Sequence, residues 1–386
     1  MTSSAISAMK NVNKDDMRAE RKQGPMDVPF FMLVLLVVCV GLIMMFSASY
    51  ASALYTMNDS TYYFVKQGLI GVGGIVGMLV ISRINYQYMR LLSIPLLVAA
   101  IVLLILVPII GFDAGGAVRW IKVGPIQVQP SEIAKFAVIM SFSSMISVFR
   151  EKMKTFRYGI LPFAIILVLI AGLMLIQPHI SGAILIVVVG GALMFVGGVH
   201  WGWFAGAIVL AFAVGYFVMT NMAHAIVRIQ IWKDPFIDPQ NSGYQIIQSL
   251  YAVGSGGLFG LGLGKSRQKH LYLPEQHNDF VFAIVCEELG FVGACLVMFL
   301  FALLIIRGYW IAVRARDRFG SLMVTGIITL LAVQTFLNVA VVTNLIPVTG
   351  ISLPFFSYGG TSLLIQLAEM GVVLSVSRQI PAPRAG

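Results

Sequence analysis

Charge is scarce in this sequence. Of its 386 residues only 11% are charged, with 16 acidic and 26 basic side chains, and there are three cysteines and five histidines. Soluble globular domains carry about a quarter charged residues, so a chain of one or more soluble domains is excluded. Cys39, Cys286 and Cys295 all fall inside apolar runs, where they read as small buried hydrophobes rather than as a disulfide framework or a metal site. No His/Cys cluster has metal-ligand spacing, and His277 beside Asp279 is too little to make one. Residues 1–26 hold Lys10, Asp15, Asp16, Arg18, Glu20, Arg21 and Lys22 and no apolar core, so they read as a polar tail rather than a cleaved signal peptide, with the first apolar run expected as a retained signal anchor.

What is abundant is apolar. Hydrophobic residues make up 59% of the chain, and the mean hydropathy is +0.90. Apolar runs of about 17–25 residues, each long enough to cross a ~30 Å hydrocarbon core as a helix, recur from end to end. The expected architecture is an all-α integral membrane protein of about ten transmembrane helices, at 28–50, 64–82, 91–110, 132–149, 159–177, 182–198, 203–220, 280–306, 320–342 and 361–377. It comprises a cytoplasmic tail (1–27), a membrane domain (28–377) and a second cytoplasmic tail (378–386). A net charge of +10 raises the question of nucleic acid, but in such a chain excess Lys and Arg marks cytoplasmic loops instead. With the N-terminus inside, cytoplasmic segments hold 17 of the 26 basic residues and outer segments eight, five of these in one long loop where the rule carries little weight. Both termini are therefore expected in the cytoplasm.

Three outer segments exceed mere connectors. Residues 111–131 are Gly-rich and carry Arg119, Trp120 and Lys122; residues 221–279, between the seventh and eighth helices, form the longest non-spanning stretch; and 343–360 is uncharged and dense in Pro and Gly. Long ordered loops on one face of a bundle are where a site is built. Ionisable groups at the lipid edge are costly and invite a functional reading with a structural alternative beside it. Asp279 at the mouth of the eighth helix is either a catalytic carboxylate or a helix cap. Glu287 and Glu288 lie two turns further in, serving structural pairing or catalysis. Glu132 and Lys135, at i and i+3, pair on one helix face as scaffold, or border an anionic ligand. The stretch 254–266, GSGGLFGLGLGKS, fails as a P-loop because Phe259 stands where the pattern needs Gly. It is either a flexible loop or, with Lys265, Arg267 and Lys269 behind it, a contact for a lipid pyrophosphate.

Three long strings carry a resemblance: GGAVRWIKVGPIQVQPSEIAKF (115–136), the segment 234–294 with GLGKSRQKHLYLPEQHNDF at its centre, and NLIPVTGISLPFFSYGGTSLL (344–364). In these the chain resembles the SEDS proteins of bacterial shape, elongation, division and sporulation over its whole length. GLGKSRQKHLYLPE is closer to the division and sporulation branch, FtsW or SpoVE, than to RodA. The resemblance implies a peptidoglycan glycosyltransferase of the bacterial cytoplasmic membrane, expected at the division septum. It would polymerise lipid II into glycan strands on the outer face, together with a class B penicillin-binding protein and other membrane proteins of the division complex.

The resemblance also implies that Asp279 is the catalytic residue, a general base for the acceptor hydroxyl. Arg119, Lys122, Glu132, Lys135, Arg267 and Lys269 are the expected substrate-binding residues, the cations meeting the pyrophosphate. No metal site is expected in the protein itself, although a divalent cation, Mg2+ or Mn2+, could share that charge. One departure stands out: family members commonly read Gln-Pro-Asp where this chain has Gln177, Pro178 and His179. A lipid II flippase and a division scaffold are the competing readings. The concentration of charge and long loops on one face, with no convincing internal repeat, favours chemistry on one side.

Overall fold

The computed structural model describes residues 24–113, 118–124, 126–207 and 229–380. Nine of the ten expected helices lie there within a few residues of their expected ends in most cases: α1 (Val28–Met57), α2 (Tyr62–Ile81), α3 (Gln87–Ile110), α4 (Pro130–Phe149), α5 (Leu161–Ile176), α6 (Ile180–Val196), α8 (Val281–Arg314), α9 (Arg318–Val342) and α10 (Gly360–Ser377), with the short α7 (Tyr244–Ser255) inside the long loop. The expected helix 203–220 begins within 201–207 and otherwise lies outside the described residues, as do most of both tails. Eight of these helices are long and apolar enough to cross a membrane, and Ile180–Val196 is apolar but shorter.

Two helices overrun their expected ends. The first continues to Met57 because Ser, Ala, Leu and Met tolerate the helix, until Asn58 takes a left-handed backbone (φ 58°) and stops it. The eighth continues to Arg314 and carries a break at Gly290 (φ 69°). The segment 111–131 contains a small antiparallel sheet, β1 (Phe112–Asp113), β2 (Val118–Val123) and β3 (Ile126–Val128), added to an otherwise helical chain.

Helices α4, α9 and α10 are mostly enclosed, while α1, α2, α3, α5 and α8 keep exposed apolar faces. Without a hydrophobic force between helices in lipid, small and polar side chains set their packing. Accordingly α4 buries Ser131, Ser141, Ser143, Ser144 and Ser147, and Ser141 donates to the Ser93 carbonyl of α3 at 2.9 Å.

Two polar layers calibrate the bundle against a membrane. At one end Arg307 of α8 grips the N-cap carboxylate of Asp27 with two hydrogen bonds of 2.7 and 3.0 Å. Toward the other end Ser47 of α1 donates to Glu288 of α8 at 2.7 Å. From Asp27 to Ser47 is about 30 Å of helix, and from Glu288 to Arg307 about 28 Å, at ~1.5 Å per residue. Both spans match the thickness of a hydrocarbon core.

The Gly-rich loop is held against the break in α8. Phe291 donates its backbone N–H to the Gly257 carbonyl (2.9 Å) and Val292 to the Leu258 carbonyl (3.1 Å), while the Leu261 and Gly262 amides bond the Glu287 and Glu288 carbonyls (both 3.0 Å). A Cβ on Gly256 or Gly260 would collide with the carbonyls of Cys286 and Glu288, and Gly260 has φ +77°. These glycines allow backbone to meet backbone. Gly260→Ala is therefore expected to destabilise the protein by about 1–3 kcal/mol. Gly254→Ala, which meets open space, should leave stability unchanged or raised. Thermal unfolding of the two variants in the same detergent compares them; equal midpoints would remove the packing role.

Candidate functional site

Asp279 lies two residues ahead of α8, and α9 and the 343–359 loop hold the backbone around it. Asn338 of α9 donates from Nδ2 to the Asp279 carbonyl (2.8 Å) and to the Ile351 carbonyl (2.6 Å). Ser357 donates to the Asn278 carbonyl (2.6 Å), and the Tyr358 amide to the His277 carbonyl (2.8 Å). Gly350, at φ +67°, passes so close that a Cβ there would sit 3.2 Å from Asp279 Oδ2. The loop 343–359 is in turn held from below by amide side chains. Gln334 donates to the Ser352 carbonyl (3.1 Å), Gln366 accepts from the Phe355 amide (2.9 Å), and Gln67 bridges the Ser357 carbonyl and the Gly359 amide (both 3.3 Å). Proline- and glycine-rich sequence cannot satisfy its own backbone in a ladder, so neutral side chains from three helices do so.

The Asp279 carboxyl itself accepts no hydrogen bond and makes no ion pair among the described residues. Burial, reinforced by the negative charge of Glu275 and opposed by Arg119, raises its pKa to about 6. Nearby, Tyr63 stacks on His277 with ring centroids 5.0 Å apart and meets Tyr358 at 4.9 Å. Burial lowers the pKa of His277, which keeps the imidazole neutral near pH 7.

Arg119 on β2 is half-buried and donates to the Pro178 carbonyl at 2.5 Å. Its field reaches both Asp279 and His179. Lys122, an odd number of residues along the same strand, points to the opposite face and is exposed. Glu132 and Lys135 form a buried ion pair of 2.8 Å in the first turns of α4. Glu369 of α10 shares their field and, with Glu132, Gln334 and Gln366, lines a cavity of about 10 Å3, room for one water. Sequence reasoning passed over Glu369; the signal was a lone carboxylate inside an apolar run. His179, in the turn before α6, is buried, and desolvation, followed by the charges of Arg119 and Lys135, takes its pKa down to about 3. It is a neutral imidazole between two cations.

The remaining expected residues lie in the loop after α7. Lys269 is buried, 3.0 Å from Glu288 and 3.2 Å from Ser47 Oγ. Glu287 accepts from the Arg267 amide (2.8 Å) and the Ser266 hydroxyl, and Glu288 from the Ser266 amide (3.2 Å). Both glutamates are therefore structural ligands of the loop. Arg267 is exposed and, with Lys265 and His270, lines an open groove of about 770 Å3. The geometry thus gathers Asp279 and Arg119 in one neighbourhood, joined through Arg119 and His179 to the Glu132–Lys135 pair, and leaves Lys122, Arg267 and Lys269 apart from it. No three His, Cys, Asp or Glu side chains converge among the described residues, so no step is assigned to a divalent cation.

The comparisons agree with this architecture. The stage V sporulation protein E of Bacillus subtilis is 42% identical over 363 residues, spanning 93% of this chain and 98% of that protein. A probable peptidoglycan glycosyltransferase FtsW of Geobacter metallireducens is 37% identical over 356 residues, spanning 92% and 95%. Among solved structures, a chain from a peptidoglycan synthase complex that coordinates polymerization and crosslinking superposes with a TM-score of 0.77 at 29% identity, covering 92% of this chain and 98% of that one. The rod shape determining protein RodA of Thermus thermophilus gives 0.68 at 27% identity, covering 93% and 99%. With the cell cycle protein model of FtsW, RodA and SpoVE matching residues 27–381, the chain belongs to the FtsW/RodA/SpoVE family.

Proposed function

We infer that this multi-pass membrane protein is a peptidoglycan glycosyltransferase that polymerises lipid II, with Asp279 as its general base. The observation that carries the reading is an unpartnered, half-buried carboxylate with a pKa of about 6 at the end of the bundle where the long loops gather. The base takes the proton of the acceptor sugar hydroxyl as that oxygen attacks the anomeric carbon of the donor. The bond from that carbon to the pyrophosphate oxygen breaks, and the polyprenyl pyrophosphate leaves with the electron pair. A base with pKa near the working pH is available unprotonated and still takes up a proton readily. Arg119 is positioned to meet the negative charge that grows on the leaving group. The buried Glu132–Lys135 pair stands behind it, and the neutral His179 adds no negative charge beside Arg119 or Lys135.

Height in the membrane supports the same assignment. Asp279 precedes α8, and from Val281 to Glu288 is about 10 Å of helix. The carboxylate therefore stands about 10 Å beyond the polar layer that marks the hydrocarbon edge, level with the sugars of a lipid-linked saccharide whose pyrophosphate lies at that edge. A transporter would place its broken helix near the midplane. Here the break at Gly290 is two residues from the Glu288 layer. The loops 111–129, 229–279 and 343–359 are assigned to the outer face by the bias of basic residues toward the opposite end, and the septum and a class B penicillin-binding protein are the expected site of action and partner.

Four outcomes test this. Asp279→Asn, in lipid II polymerisation by the purified chain with its partner, should insert normally and lose about 10²–10⁴-fold in turnover; activity within a few-fold of wild type would move the base elsewhere. Because the base works only when deprotonated, kcat/KM should fall about tenfold per pH unit below pH 6. Arg119→Ala should lower activity by about ten- to a hundredfold. It should also move that acid limb to higher pH, since Arg119 holds the Asp279 pKa down; an unmoved limb would separate the two residues. Finally, single cysteines placed within 240–270 should react with an impermeant reagent on intact cells, and protection of the whole stretch would reverse the orientation.

A further inference from the structure

The loop after α7 presents a surface that the reaction does not use. Leu258, Phe259 and Leu263 are 64%, 80% and 58% exposed. Their placement is anchored, because Val292 donates to the Leu258 carbonyl and Phe291 to that of Gly257. Below that contact Val292, Leu296, Phe299 and Ile306 form one exposed apolar stripe at heptad spacing along α8, the kind of face a spanning helix turns to lipid. The tip of the loop is continuous with it. Val292 lies about 6 Å below Glu288 along the helix, so the tip sits just inside the hydrocarbon edge, the depth at which interfacial segments insert.

The same loop carries basic residues at the next height up. Its backbone at Ser266 and Arg267 is bonded to Glu288 and Glu287, in the layer of the hydrocarbon edge itself, where lipid phosphates lie. The open groove of about 770 Å3 there is lined by Gln248, Lys265, Ser266, Arg267, Gln268, His270 and Tyr272, with no acidic side chain. Neither Lys265 nor Arg267 makes an ion pair among the described residues. Apolar side chains just below the edge and unpaired cations at it match the two parts of a phospholipid.

We propose that this groove binds the phosphate of an anionic bilayer phospholipid, its acyl chains lying against Leu258, Phe259 and the α8 stripe. The lipid-facing stripe leads into the groove, whereas Asp279 is held against α9 and the 343–359 loop, which favours bulk lipid over the reacting substrate as the occupant. Bound lipid would brace the loop that ends in Asp279.

The test needs no substrate, so it stands or falls independently of the glycosyltransfer reading. Purified full-length protein in neutral detergent is titrated with phosphatidylglycerol or phosphatidylcholine, and bound lipid is counted by mass spectrometry of the intact complex. The wild type should prefer phosphatidylglycerol. Lys265→Ala with Arg267→Ala should weaken that binding about 25-fold, at roughly five-fold for each basic residue near an anionic surface. Phe259→Ser should weaken it several-fold with the charges intact. Inorganic phosphate at millimolar concentration should not displace the lipid. Wild-type lipid binding by the double variant would overturn the proposal, as would equal displacement by inorganic phosphate, which would mark a site for soluble phosphate.

Discussion

Glu287 and Glu288, adjacent in α8 and sealed from solvent, hold the long loop before α8 in place. A carboxylate buried at the lipid edge costs several kcal/mol unless it is paired and fully hydrogen-bonded. Here the partners come from a single loop and one helix: the Ser266 and Arg267 amides, the Ser266 hydroxyl, the Lys269 ammonium and Ser47 of α1. The demand for partners fixes the path of residues 261–269, and that path constrains the approach through Asp279 to the start of α8 at Val281. Removing one partner would leave charge uncompensated in a dry setting, so the clamp acts as a unit.

The candidate base, Asp279, is managed in the opposite way. Its backbone is bound on both sides, but its oxygens are left without a donor among the described residues. Neutral amides, Gln67, Gln334, Asn338 and Gln366, carry the loop beneath it. Amides fix position without adding charge, so the pKa is left to burial, Glu275 and the distant pull of Arg119. Structural carboxylates are saturated with donors and the candidate base is not, a contrast that separates three acidic residues lying within ten positions of one another.

His179 shows the balance from the cationic side. A carboxylate in that turn would neutralise part of the charge of Arg119 or Lys135. The imidazole is kept uncharged by burial between those same cations. The Lys135 charge is thus left facing Glu132 and Glu369. The buried lysine is compatible with that field because Glu132 stands 2.8 Å from it.

The helices were legible in the sequence because lipid imposes a length and a composition that few other environments require, and the runs from Val28 to Ser377 obey both. The loop strings around Arg119, Asp279 and Pro347–Gly360 were legible as a family resemblance, and Asp279 could be singled out by its place at a helix mouth. The sheet at 112–128 was not, because its strands are short and its pairing depends on a turn at Gly124. Nor could the sequence separate Lys269 from Arg267, two residues apart in one basic run. Only packing turns one inward to Glu288 and the other out to the groove. Glu369 was hidden for the same reason, since its meaning lies in facing Lys135 across two helices far apart in the chain. Apolar length is a local property and the sequence by itself determined it; which charged side chains meet is set by contacts between distant segments, and only the tertiary structure decided that.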